Sequence, residues 1–420
     1  MLKKYASFVL DSSKSSTGRS VRIASSLAAA LLGIRRGSAR QGWAGEKSGL
    51  FEHPAGGCSS GPRRAGHRSD AIPNWFFLSL LGFSAAVGFW SFGLVWADEG
   101  PLLGPRTIVV ALDGTGDYVS LQEAVDAAKK GDTVFVKAGQ YPQDVTIHSK
   151  EKIKFVGAGV DQVTILGRDI VVGALHVGKW PYGATDVEIS DMTINDHGGH
   201  AVGLFNGQGL VLRRLKINGM LFSQQVHDVR IEDCDIGGSE TTGAQFADSE
   251  AVLIGNFIHD NDHGVSIAGK SSVRLERNVI TRSLFDAVVV SGHARAVIVS
   301  NTLVKNGGGA AFLEQSQSDV TGNVVGLNRV GFVIAPSSQT STSFNAFYNK
   351  DGDYLRAGNP NQPAPELKAK SDITGDPYFV DPGYDDFRLC LDTPLLKIGH
   401  FPYLGALAPA STAARRSTEK

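Results

Sequence analysis

Between Ala251 and Phe347 the chain repeats itself in lines of about 22 residues. AVLIGNFI begins at Ala251, VRLERNVI at Val273, AVIVSNTL at Ala296, SDVTGNVV at Ser318 and TSTSFNAF at Thr340. One column is asparagine throughout: Asn256, Asn278, Asn301, Asn323 and Asn345, at spacings of 22, 23, 22 and 22. Two residues later a second column is apolar: Ile258, Ile280, Leu303, Val325 and Phe347. A fixed period of this kind marks a solenoid. It is too short for a pair of helices, and the lines are rich in Val, Ile, Asn and Gly. Each line therefore predicts one coil of short strands.

The columns have a physical cause. In a parallel coil each residue lies above its counterpart one turn away, at about 4.8 Å. Inward aliphatic side chains then pile into a continuous core. An inward asparagine at a corner bonds to the next asparagine and to turn backbone, so its amide is buried but paired. Asparagine also tolerates the left-handed backbone angles of a tight corner. The register extends backward through lines at Val187, Leu210 and Val229, where Met192, Leu215 and Cys234 take the asparagine position and Ile194, Ile217 and Ile236 the apolar one. Eight lines at that spacing make a rod section of roughly 35–40 Å.

The near-zero net charge conceals an asymmetry. Residues 1–70 hold 12 Lys and Arg against 4 Asp and Glu, and the remainder holds 29 against 38. The basic part has no apolar periodicity and reads either as a disordered segment or as an upstream extension from a misplaced start codon. Residues 71–97 carry no charge, follow Arg63, Arg64 and Arg68, and precede Asp98 and Glu99. This stretch is long enough to span a bilayer with its positive flank inside. It reads equally as an uncleaved anchor and as a signal peptide cut after Ala97. Both readings export the acidic remainder to the periplasm or cell surface. That remainder divides into a solenoid at 105–410 and a small polar, disordered tail at 411–420. Three scattered cysteines, Cys58, Cys234 and Cys390, make no disulfide framework. With no basic patch in the exported part, nothing points to nucleic acid.

Residues 107–167 predict strands at Ile108–Leu112, Thr133–Val136, Val145–Ile147, Ile153–Val156 and Val163–Leu166. They also predict a short helix. Ser120 and Glu123 form a capping box, Leu121, Ala124, Val125 and Ala128 make one apolar stripe, and Gly131 follows. Such a helix suits the open end of a rod, whose unpaired edge would otherwise invite aggregation. The stretch ALDGTGDYVSLQEAVDAAKKGDTVFVKAGQY, with the later FVGAG and TILG, resembles the opening of pectin methylesterases and of the wider pectin-lyase-like superfamily. The rest is similar to exported right-handed parallel β-helix repeat proteins, among them many polysaccharide-active enzymes and a periplasmic protein that helps build a copper site. The ending DPYFVDPGYDDFRLCLDTPLLKIG resembles the closing segment of that group. The resemblance implies an all-β, right-handed parallel β-helix with carbohydrate as the commonest ligand. The esterase blocks Gln-Asp-Thr-Leu and Asp-Phe-Ile-Phe-Gly and the epimerase motif Asp-Pro-His are absent, so no catalytic residue is carried over.

Two turns hold the candidate chemistry: Asn195–His200 after Ile194, and His259–Gly264 after Ile258. Counted from the apolar column, Asp196, Asp260, Arg282 and Lys305 share one offset. Asp260, Arg282 and Lys305 then stack on three successive coils, with Asp262, His263 and Asp286 beside them. Asp260, Asp262, Arg282 and Asp286 are the candidate catalytic groups, and His263 and Lys305 the candidate substrate contacts. Paired carboxylates supply acid–base roles or bind Ca²⁺ through oxygen. An arginine binds a uronate carboxylate. The same residue types also suit a solvated turn or a surface charge ladder. His197 and His200 lie three coils, about 14 Å, from His259 and His263, so neither pair alone makes a metal site. Trp180, Tyr182, Phe205, Phe222 and Phe285 could form a sugar platform. Three functions follow as expectations: a polysaccharide-binding or -processing envelope protein, a non-catalytic scaffold or adhesin, and a metal-delivery protein.

Overall fold

A computed structural model describes residues 104–168, 173–358 and 361–410. The segments 1–70, 71–97 and 411–420, with Cys58, lie outside the described residues, as does the side chain of His197. Among the described residues no helix is long and apolar enough to cross a membrane.

Alternation along each line fixes the strands. In the line at Val273, Val273 and Leu275 are buried while Arg274 faces solvent. The lines from Val229 onward each make three strands, while those at Val187 and Leu210 run as single long strands, Glu188–Phe205 and Gln208–Gln224, and successive coils pair in parallel. Sheet 1 runs from Thr107–Val110 through Thr133–Val136, Glu250–Ile254 and Ser272–Glu276 to Gln339–Ser343. Sheet 2 holds three-residue strands such as Phe257–His259, Val279–Thr281 and Thr302–Val304. Sheet 3 holds His263–Ala268, Asp286–Val290, Gly308–Phe312 and Val330–Ile334. The result is a parallel β-helix of about eleven turns, with a rod length of about 50 Å at the usual strand spacing.

The predicted asparagine column is buried, and each amide joins two coils. Asn278 Nδ2 donates to Leu253 O at 2.9 Å and to Asn301 Oδ1 at 3.0 Å, while its own Oδ1 accepts from Asn256 N and Nδ2 at 3.0 and 2.8 Å. The ladder ends on Asp372, whose Oδ1 accepts the Asn345 N–H at 2.8 Å. The bend itself is made one residue earlier than expected. Gly255, Arg277, Ser300, Gly322 and Phe344 have φ between 52° and 71°, and the asparagines do not share this conformation. The left-handed residue turns the chain, and the next side chain then points inward.

A second amide column lies at the corner between sheets 2 and 3. Asn306 accepts from Ser283 N at 2.9 Å and donates to Asn328 Oδ1 at 3.1 Å, and Asn328 donates to Asn349 Oδ1 at 3.0 Å. Buried serines follow the third corner, where Ser249 N donates to Ser271 Oγ at 3.1 Å. The hydrophobic core fills the space between these columns. Cys234 occupies the inward position as a buried thiol whose pKa is pushed up to about 12 by desolvation.

The helix, α1, spans Leu121–Ala127, and Ser120 Oγ accepts the Glu123 N–H at 3.3 Å. Leu121, Ala124 and Val125 are buried in the core. It ends four residues before Gly131, with Ala128 as its cap.

The outer face of sheet 2 changes character along the rod. Early coils present Thr193, Lys216 and Asp235, whereas later ones present Val279, Val304, Val324 and Ala346. The closing segment packs on this later, apolar part. Phe379, Phe387, Leu389, Leu395, Phe401 and Leu404 form one cluster with those residues.

Candidate functional site at the corner of sheets 2 and 3

The shared offset of Asp260, Arg282 and Lys305 has a backbone cause. All three are left-handed, with φ of 52°, 54° and 57°, and each precedes a buried corner residue, Asn261, Ser283 or Asn306. A side chain at that bend is directed out of the prism. The offset thus marks a corner, and the corner lines three charges up on consecutive coils.

Their contacts make one ion column. His259 bridges two carboxylates, with Nε2 at 2.8 Å from Asp235 Oδ1 and Nδ1 at 2.6 Å from Asp260 Oδ2. The Asp235 hydrogen bond raises the His259 pKa, and the Arg282 hydrogen bond holds Asp260 down at about 2. Arg282 binds Asp260 through Nε and Nη2 at 2.8 Å each, and it binds Asp385 through Nη1. Lys305 Nζ lies 3.3 Å from the other oxygen of Asp385. Asp260 and Arg282 are therefore brought together, and both are ionised and committed to each other.

Asp286 and His263 form a separate group at the start of sheet 3. Extending the Val265–Val288 register back two residues places them side by side on adjacent coils. Burial raises the Asp286 pKa against the pull of His263 and Arg329, and burial lowers the His263 pKa. The His263 ring stacks on Phe285 with centroids 5.1 Å apart, and Phe285 is 38 % exposed. The Asp286 carboxylate sits over Gly308, where an added Cβ would come within 2.1 Å of Oδ1. Asp262 is half-buried on the adjoining turn. A carboxyl with a raised pKa beside an imidazole with a lowered pKa puts two groups suited to acid–base work in reach of one surface.

The other named residues lie elsewhere. His200 stacks on Phe222 at 4.8 Å, and His176 meets Phe205 edge-on at 5.3 Å. Phe205 and Phe222 thus pack with histidines. Trp180 and Tyr182 are exposed, and Trp180 edges a shallow groove with Asn206, Gln208, Gln225 and His227. Among the described residues no three His, Cys, Asp or Glu side chains are placed to hold a metal ion. Sequence reasoning missed Asp385 and Arg329. Asp385 comes from a segment 103 residues beyond Arg282 with no period to follow. Arg329 sits five residues before the apolar pair of Ile334 and Ala335, in a turn resembling any other.

The family model for the right handed beta helix region matches residues 180–347, and that for Pectinesterase matches residues 107–251. The described chain is a right-handed parallel β-helix, and over these two stretches it is similar to the pectin-lyase-like group. Pectinesterase 2 of Citrus sinensis is 33% identical over 167 residues, covering 36% of this β-helix chain and 32% of its relative. Probable pectinesterase/pectinesterase inhibitor 23 of Arabidopsis thaliana is 26% identical over 201 residues, covering 44% and 33%. The chain spans about a third of the length of these curated relatives. Among solved structures, pectate lyase Pel9A aligns with a TM-score of 0.43 at 13% identity, covering 73% of this chain and 97% of that one.

Proposed function

We propose that this β-helix binds or processes a polysaccharide at the corner of sheets 2 and 3. One observation carries the reading: the half-buried Asp286 carboxyl lies beside His263, whose ring stacks on the exposed ring of Phe285. Asp286, its pKa raised, serves as the acid and His263, its pKa lowered, as the base, and Phe285 offers a sugar an apolar face. Asp262 and Arg329 border the group, and the Asp260–Arg282–Lys305 column forms its charged rim. The pectinesterase relatives support a pectin-like polymer as ligand. In this proposal residues 71–97 carry the chain out of the cytoplasm, as signal or anchor, to the periplasm or cell surface. The α1 helix closes the rod's first coil, and Ca²⁺ enters as a bridge between acidic sugars and acidic turns.

The test is a panel of polygalacturonate, methylated pectin, alginate and neutral glycans, with and without Ca²⁺, on the parent chain and on Asp286→Asn and His263→Ala. Loss of turnover in both variants, with folding intact, supports the reading. Equal behaviour of parent and variants sinks it. A second reading, a non-catalytic envelope scaffold, is favoured by the self-paired ion column, which leaves Asp260 and Arg282 little capacity for chemistry. Binding without turnover on the panel selects it.

A further inference from the structure

The ion column ends in a contact that the coil does not require. Asp385 belongs to the closing segment, yet its two oxygens receive Arg282 Nη1 and Lys305 Nζ from consecutive coils. It sits at the tip of a turn after the short helical stretch Pro382–Tyr384, with φ of 59°, and its neighbour Tyr384 is 89% exposed. Behind the tip lies a cavity of about 290 Å³ lined by Phe257, Val279, Phe387, Arg277 and Asp385 itself. The two cations flank the aromatic floor, Arg282 being 5.8 Å from the Phe257 ring centre and Lys305 5.5 Å from that of Phe387.

We propose that Arg282 and Lys305 form a carboxylate-binding site for a uronate sugar, and that Asp385 fills this site in cis until such a sugar displaces it. The contacts along the column support the assignment. Asp235, Asp260 and Asp385 face His259, Arg282 and Lys305 in one chain of contacts. Without Asp385, Arg282 would keep Asp260 and Lys305 would lose its carboxylate. A sugar carboxylate brings the same two oxygens with the same geometry. The cavity is at the small end of ligand sites, suiting a single ring, and its aromatic floor can meet the apolar side of that ring. The displaced turn is short and exposed, so releasing it disturbs little of the apolar cluster that anchors the segment. The choice of a uronate rests on the polysaccharide reading above; the occupied two-cation site does not.

The experiment is calorimetric titration of the full chain with sodium galacturonate, and with galactose as neutral control. Asp385→Asn should bind galacturonate about tenfold more tightly than the parent, because the competing charge is gone. Galactose binding should not change, and adding Arg282→Gln should remove the gain. An Asp385→Asn chain that binds galacturonate no better than the parent overturns the proposal. Hydrogen exchange on the unmodified chain gives a second measure, free of any folding defect. Saturating galacturonate should speed exchange across residues 383–386, and galactose should not; unchanged exchange also overturns it. Asp286→Asn should leave both readouts in place, which separates this site from the catalytic reading.

Discussion

Asn278 has no exposed surface and takes part in bonds to Asn256, Leu253 and Asn301. Asn278→Ala leaves the Asn256 backbone N–H without its acceptor, leaves Asn256 Nδ2 with Ile231 O alone, and takes a donor from the Leu253 carbonyl. It should destabilise the rod by about 3 kcal/mol in urea denaturation, since each buried orphan costs about 1–3 kcal/mol. Asp286 predicts the opposite. Its folded pKa is raised by burial, so the folded chain holds more protons than the unfolded one above about pH 4, and stability declines as pH rises through that window. Asp286→Asn should therefore melt higher than the parent at neutral pH, with the gap closing near pH 4, while turnover is lost. Gly308→Ala should lose turnover as well, because the new methyl occupies the carboxylate's place. The first amide column was legible because a polar residue recurring at the coil period has to be buried and paired. The second was missed although Asn261, Asn306 and Asn328 lie five residues after members of the first. Ser283 interrupts it, and its neighbours are ordinary turn residues. The left-handed position was also misplaced by one residue, because Arg277, Ser300 and Phe344 carry no composition signal for that geometry.

Among the elements, α1 was readable from its cap and stripe, which are local. The closing segment was readable only as a resemblance, because its partners lie about a hundred residues upstream. What holds it is apolar: Phe387 is 1% exposed and packs 5.7 Å from Phe379. Phe387→Ala should cost about 3–5 kcal/mol at this contact. The loss should show as faster hydrogen exchange in residues 376–410 while the amide columns stay protected. Removal of the whole segment would bare Val279, Val304, Val324 and Ala346 together, a continuous apolar strip of the kind that drives association. Light scattering of a chain truncated after Gly375 should then report oligomers.

For the whole molecule, the histidines set the acid limit. Burial holds His176 at about 4, and it also lowers His200 and His263. Each binds fewer protons folded than unfolded, so its contribution is present above about pH 6.5 and is lost as pH falls toward the folded value. For His176 the loss amounts to about 3 kcal/mol. His259 has the reverse sign: its pKa is raised, so its contribution is present below about pH 6.5 and fades as pH rises through the folded value. Asp260, held at about 2, matters only below about pH 4. Urea denaturation between pH 7 and 4 should show falling stability, and His176→Asn should flatten that fall. The stacked bends carry one last implication. Since the junction after Asn301 is the same as that after Asn323, residues 302–323 form an excisable module. A chain lacking them would close its ladder without a seam, so the rod can lengthen or shorten only in whole turns, and any groove along it is measured out in the same units.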